Sequence, residues 1–188
     1  MDPMIQRIPP HSNEAEQSVL GSMLIDREAV SVAAEVLRKD DFYSEAHREI
    51  YEAMMNLYEA GKPVDLVTVV DELDQRGTMD GVGGIAYITD LSRFVPSTAN
   101  VKYYINIVEE KSILRKLIQA SGEIMKDSYE ASDEVDDIIN KAEKAIFDIS
   151  QKKNNDSLVP LKTTLLEGYS RIEELYNNKG RITGVPTG

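Results

Sequence analysis

The chain has 188 residues, 33 acidic and 21 basic side chains, a formal net charge of −12 and 41% hydrophobic residues. That length suits one domain with an appendage, and the charge speaks against a non-specific duplex-DNA binder, which would carry clustered Lys and Arg. The absence of cysteine rules out a disulfide scaffold, a thiolate metal site and a cysteine nucleophile, and fits a reducing compartment.

His11 and His47 are far apart in sequence, which argues against a His-rich metal site. No run approaches the ~18 apolar residues of a membrane span, and MDPMIQRIPP lacks the apolar core of a signal peptide. The expectation is a soluble cytoplasmic protein. Charge is uneven along it. Residues 1–150 hold 29 acidic and 15 basic side chains, net −14; residues 151–188 hold 4 and 6, net +2. The shift falls at Gln151 to Ser157, a polar run that reads as a linker.

Before that linker the period is helical almost throughout. After Pro9-Pro10, Ser12 or Asn13 can cap a helix, and Asn13 with Glu16 has capping-box spacing. Ala15, Val19, Leu20, Met23 and Leu24 form its apolar stripe. Asp26 opens a second helix with Val30, Ala33, Ala34 and Leu37 on one face. Ser44 opens a third, carrying Ile50, Met54, Leu57 and Tyr58, and Gly61 suits its C′ position. Asp65 caps a fourth with Val67, Val70 and Leu73, stopped near Gly77. A Gly-rich turn (Gly77, Gly81, Gly83, Gly84) leads to a short helix around Tyr87 to Arg93, ending before Pro96.

A longer object follows. Ser97 can cap a helix running to about Tyr129, roughly 45 Å of rod at 1.5 Å per residue. Ala131-Ser132 makes a break. Asp133, Glu134, Asp136 and Asp137 then cluster in a first turn, complementing the helix dipole. Val135, Ile138, Ile139, Ala142, Ala145, Ile146 and Ile149 continue at helical spacing, so the two long helices read as an antiparallel hairpin. Past the linker, Pro160 suits a helix N1, and Leu161, Leu165, Tyr169, Ile172 and Tyr176 share one face that must be buried on some partner. KGRITGVPTG closes the chain with no element after it, which reads as a cut before another domain. The expected organisation is all-α: a globular helical subdomain at 1–96, a hairpin at 97–150, and a linker at 151–188 with a helix at about 160–178.

Chemistry-bearing motifs are missing. Gly61-Lys62 lacks the upstream Gly and following hydroxyl of a phosphate-binding loop, and Gly81-Val82-Gly83-Gly84 follows no strand, so it reads as a helix–helix turn. Asp40-Asp41 and the 133–137 acids read as dipole partners and solvated charge at helix starts. Two isolated histidines make no catalytic arrangement; both read as surface or locally hydrogen-bonded groups. No catalytic, cofactor or metal residue is expected in this chain. What remains is interaction surface. Apolar residues on the long helix cover more width than a two-helix seam needs, which signals a further partner or packing on the globular part. Arg93, Lys102, Lys111, Arg115, Lys116 and Lys126 lie near or along that helix and open an alternative, a stand-alone helical scaffold or nucleic-acid binder.

Several long segments are familiar: RIPPHSNEAEQSVLGSML (Arg7 to Leu24), DDFYSEAHREIYEAM (Asp40 to Met54), GKPVDLVTVVDEL (Gly61 to Leu73), GGIAYITDL (Gly83 to Leu91), PSTANVKYYINIVEEKSILRKLI (Pro96 to Ile118) and GRITGVPTG. In this order they resemble the N-terminal domain and linker of bacterial replicative DNA helicases of the DnaB type, over essentially the whole chain. The resemblance implies a hexameric ring that unwinds DNA 5′→3′ with ATP and magnesium, in a RecA-like motor domain beyond this chain. It implies that the N-terminal part pairs helical hairpins into a collar, a trimer of dimers, and docks a DnaG-type primase. Further implied partners are a helicase loader and single-stranded DNA passing through the ring, in a cytoplasmic, nucleoid-associated replisome. Tyr87, Ile118, Ile124 and, more weakly, Glu14 are the implied primase contacts. Leu161, Leu165, Tyr169, Ile172 and Tyr176 would dock on a neighbour's motor domain.

Overall fold

The computed structural model describes residues 8–95, 97–131 and 134–154. Among them every regular element is helical: α1 (Asn13–Ile25), α2 (Arg27–Val36), α3 (Glu45–Glu59), α4 (Leu66–Gln75), α5 (Gly84–Phe94), α6 (Val101–Glu130) and α7 (Val135–Asn154), with 3-10 turns at Lys39–Asp41 and Thr98–Asn100. The linker-helix residues Leu161, Leu165, Tyr169, Ile172 and Tyr176 lie outside the described residues.

The helices start where short polar side chains satisfy the orphan amides of a first turn. Ser12 Oγ accepts from Ala15 N–H at 3.3 Å. Asp26 Oδ1 accepts from Glu28 N–H at 2.9 Å, and its Oδ2 takes the Thr98 hydroxyl at 3.0 Å, pinning the α5–α6 junction to the α1–α2 junction. Asp65 and Thr68 cap α4 reciprocally. Ser97 accepts from Ala99 N–H and starts the 3-10 turn that runs into α6.

α1 is the centre of the head. It packs against α2, α3, α5 and α6, and an unbroken block from Ser18 to Leu24 is buried. Such a helix must be apolar or small nearly all round. Gly21 shows how tightly its neighbours approach: a Cβ there would fall within contact distance of the Leu91 carbonyl oxygen on α5. Leu20, Met23, Leu37, Phe42, Ile50, Met54, Leu73 and Ile88 are all fully enclosed, each contributing about 1.5–3 kcal/mol by leaving water. α6 joins this core through Val101, Ile105 and Val108, spaced 4 and 3 on one face. So the first half of α6 belongs to the head.

One expected stripe was set wrongly. Val67 was placed on the inner face of α4, yet it is 76% exposed, while Val69 and Leu73 are buried. Val67 sits about 200° around the helix from Val69, so a four-residue spacing from Val69 to Leu73 turns it outward. α6 ends at Ala131, whose left-handed φ of 45° breaks the rod. α7 continues past the expected linker start to Asn154. The chain divides into two units between Ala142 and Glu143, inside α7.

Candidate functional site

Tyr87 stands on the first turns of α5, above the Gly-rich turn. Gly83 holds φ 93°, and a Cβ there would press on Tyr87 Cβ, so a glycine is what lets the ring lie down. The Tyr87 hydroxyl lies 2.7 Å from His47 Nε2 on α3, and Gln17 Nε2 on α1 donates to it at 3.2 Å. The two rings lie nearly parallel, 10° apart in plane. His47 Nδ1 is 2.6 Å from Glu16 Oε2. Glu16 Oε1 accepts from Tyr43 N–H at 2.7 Å, and Oε2 from Ser44 N–H at 3.3 Å.

Two expectations fail here. Glu16 is not the capping-box partner of Asn13; it is 1% exposed and its carboxylate meets the N-terminus of α3 from another helix. A negative charge is favoured at that end. His47 is not a surface group but 2% exposed, with both ring nitrogens engaged. His11 fits its expectation better: Nδ1 is 2.8 Å from the Pro9 carbonyl oxygen, and its ring stacks on Tyr43 at 4.2 Å.

A second polar knot ties α6 to the head. Asp41 was expected as solvated charge but is fully buried. Its Oδ1 accepts from Ser112 Oγ at 2.6 Å and Lys116 Nζ at 2.8 Å; its Oδ2 accepts from Arg38 N–H at 2.8 Å. Arg115 donates to the carbonyls of Asp41 and Pro10, and its guanidinium lies 5.8 Å over the Tyr43 ring. Burial lowers the Arg115 pKa from its ordinary range, against the opposing pull of Glu16 and Asp41. No buried side-chain nitrogen or oxygen among the described residues lacks a partner. Arg115 and Lys116, read from sequence as cations able to line a channel, are therefore committed to internal bonds.

From that knot outward α6 changes character. Leu114, Ile118, Met125 and Tyr129 are exposed, Ile118 at 58% and Tyr129 at 86%. Their spacing of 4, 7 and 4 puts them along one stripe. Ile124 is half-buried and off that stripe: the six residues from Ile118 turn the helix by about 240°, whereas the seven to Met125 bring it back within about 20°. Glu14 is exposed at the start of α1, one turn before Gln17, with its carboxylate 3.5 Å from Ser12 Oγ. So α1 and α5 bring Glu14 and Tyr87 to one end of the head, while Ile118 and Ile124 sit farther along α6 on different faces.

Sequence reasoning missed Glu16, Gln17, His47, Asp41 and Arg115 as a set. Two carried a legible signal. Glu16 lies three, four and seven residues before Val19, Leu20 and Met23; His47 stands likewise before Ile50, Tyr51 and Met54. A polar residue on a core stripe is an internal partner in waiting.

The arrangement is a helical head whose described buried side-chain polar atoms all have partners, from which a long helix carries an exposed apolar stripe. Residues 8–110 match the family model of the DnaB-like helicase N terminal domain, and the chain belongs to that family. It is 48% identical over 187 residues to the replicative DNA helicase DnaC of Bacillus subtilis (strain 168), covering all of this chain and 41% of that protein. It is 44% identical over 183 residues to the replicative DNA helicase DnaB of Geobacillus stearothermophilus, covering 97% of this chain and 40% of that protein. The chain thus spans about two fifths of the length of these relatives. The crystal structure of the N-terminal domain of DnaB helicase from Mycobacterium tuberculosis superposes with a TM-score of 0.72 at 40% identity, over 75% of this chain and 99% of that one. A structure of a DnaB-like replicative helicase, described with its interactions with primase, matches with a TM-score of 0.64 at 26% identity, over 94% of this chain and 38% of that one. Among the described residues no helix is long and apolar enough to cross a membrane, and no three His, Cys, Asp or Glu side chains group as a metal site.

Proposed function

We propose that this chain is the collar of a hexameric replicative helicase: it pairs with copies of itself through its long helices and docks a DnaG-type primase. The carrying observation is the exposed stripe Leu114–Ile118–Met125–Tyr129, on a helix that joins the head through Val101, Ile105 and Val108. A stripe of large apolar side chains at helical spacing gains free energy when another helix covers it. α7 offers a matching set, with Val135, Ile139, Ile146 and Phe147 exposed. Pairing of these exposed faces with those of a second copy would bury them. The resemblance to a helicase solved for its interactions with primase supports primase as the docked partner.

In the longer protein this domain would serve an ATP- and magnesium-dependent motor that unwinds DNA 5′→3′ at a cytoplasmic replication fork. A helicase loader and single-stranded DNA would be further partners of the ring. This chain's share is assembly and recruitment rather than catalysis. Leu161, Leu165, Tyr169, Ile172 and Tyr176 would dock on a neighbouring subunit's motor. Tyr87, Ile118 and Ile124 are the proposed primase contacts, with Glu14 a weaker one.

The test is mass measurement of the chain in solution, alone and with primase. Concentration-dependent dimers or larger species are expected, with a further complex when primase is added. Ile118→Asp should leave the thermal unfolding midpoint nearly unchanged, because the side chain is exposed, and should weaken self-association or primase binding at least tenfold. A monomer at high concentration, together with unchanged primase binding by Ile118→Asp, would sink the proposal.

A further inference from the structure

The reading of Tyr87 as a docking residue leaves open what kind of group it meets, and the buried chain behind it bears on that. Glu16 is a carboxylate that already accepts two backbone N–H groups, so toward His47 it acts as an acceptor. At 2.6 Å, His47 Nδ1 must then carry the ring proton and donate it to Glu16. With the ring neutral, its single N–H is at Nδ1 and Nε2 holds a bare lone pair. The Tyr87 hydroxyl, 2.7 Å away, therefore donates inward to Nε2. A hydroxyl has one proton and two lone pairs. The proton is spent on His47, and one lone pair takes the Gln17 Nε2–H at 3.2 Å. The other lone pair has no partner among the described residues, on a side chain that is only half-buried.

We propose that Glu16 and His47 are positioning residues that polarise Tyr87, so that its hydroxyl meets a partner only as a hydrogen-bond acceptor. The docked group is then a donor: a Lys, Arg, Asn or Gln side chain, a hydroxyl, or a backbone N–H. A carboxylate or carbonyl at that position is rejected, because two acceptors would face each other with no proton between them. This rests on the docking reading above for the identity of the partner, but the polarity of the chain is a property of this domain alone.

Glu16→Gln reverses the polarity with nearly the same shape. The amide oxygen keeps the Tyr43 N–H, and the amide nitrogen faces His47 Nδ1 and donates to it. His47 then carries its proton on Nε2 and donates to Tyr87, whose own proton is forced outward. Only the longer 3.3 Å contact to Ser44 N–H is given up.

The experiment has two arms. With ¹⁵N-labelled histidine at neutral pH, two resonance sets are expected, since the chain has two histidines. His47 should show the Nδ1–H tautomer in the natural chain and the Nε2–H tautomer in Glu16→Gln. An Nε2–H or doubly protonated His47 in the natural chain overturns the proposed polarity. In the second arm primase is titrated onto the chain. Tyr87→Phe should weaken binding about two- to tenfold, the worth of one hydrogen bond. Glu16→Gln should weaken it as much, and the double variant should lose no more than either alone. A merely structural Glu16 would give losses that multiply, and that result, like unchanged binding by Tyr87→Phe, overturns the donor requirement. If primase fails to bind the natural chain at all, the docking reading falls and takes the donor requirement with it, while the tautomer measurement still decides the polarity.

Discussion

The head and the outer half of α6 are built from the same kinds of residue, yet they solve opposite problems. In the head, polar groups are drawn inside and bonded: Glu16, Asp41 and His47 are buried, and each meets partners from other elements. From Leu114 outward along α6 the balance inverts, with Leu114, Ile118, Met125 and Tyr129 exposed while Ala120 stays buried. Burial of polar groups costs free energy unless every bond is made, and exposure of a stripe of large apolar side chains costs free energy unless something covers it. The head settles its account within the chain. On the proposed reading the helix settles it by pairing with a second copy, so stability and assembly would be written in separate stretches of sequence. The boundary falls at Ser112 to Lys116, where the polar knot ends.

Glycine substitution gives the widest separation of the two regions. Gly21→Ala would force a methyl into the Leu91 carbonyl on α5 and push α1 from its neighbour, an overpacking clash against backbone rather than a flexible side chain. Loss of about 3 kcal/mol or more is expected, read as a lowered denaturation midpoint. Gly122→Ala in outer α6 meets nothing within 4 Å and should raise stability by about 0.5–1 kcal/mol through helix propensity. Equal effects at the two sites would erase the distinction between a packed head and an open rod.

Asp41→Ala attacks the boundary itself. It leaves Arg38 N–H without its side-chain acceptor and removes the anchor of Ser112 and Lys116. Breaking a buried pair costs about 3–5 kcal/mol, but Lys116 is about one-third exposed and can turn to water. A loss of about 2–3 kcal/mol is therefore expected. Hydrogen exchange should quicken across residues 108–116 well before it does so in α3. Uniform loss of protection over the whole head would mean that α6 and the head are one cooperative block.

Much of this architecture was legible in the sequence, and the misses share one cause. The caps at Asp26 and Asp65, the turn at Gly77–Gly84 and the long helix ending near Ala131 follow from local rules that look a few residues ahead. The knots do not. Glu16 reaches His47 across 31 positions, and Asp41 reaches Ser112 across 71. Helix-start carboxylates read as dipole partners because nothing within one turn reveals the distant donor. The periodicity of α1 and α3 did place Glu16 and His47 on core faces, so the stripe was the stronger guide there than residue polarity. At the proposed docking surface Tyr87 and Ile118 rest on resemblance, and spacing alone separates Ile118 from Ile124. The face of a short helix was harder to set: two Val–Val steps in α4 allowed Val67 or Val69 inward, and contact with α3 and α5 decided for Val69.

Another small expected effect probes how closed the head is. Tyr51 is buried and donates to the Leu37 carbonyl at 2.9 Å. Burial raises its pKa above the ordinary 10.0, with Asp41 and Glu59 adding to the rise and Arg38 opposing it. A raised folded-state value means the native state holds its proton more tightly than the unfolded chain. This contribution to stability is therefore fully present below pH 10.0 and is lost as pH climbs beyond it. Tyr51→Phe has nothing to titrate. At neutral pH it should cost only about 0.5–1.5 kcal/mol, since the Leu37 carbonyl still accepts from Arg38 Nη1 at 2.7 Å. Above pH 10.0 the natural chain should lose stability faster than the variant, so the gap between them narrows. A gap constant with pH would mean that water reaches Tyr51, and that the head is less sealed than its uncovered helix makes it seem by contrast.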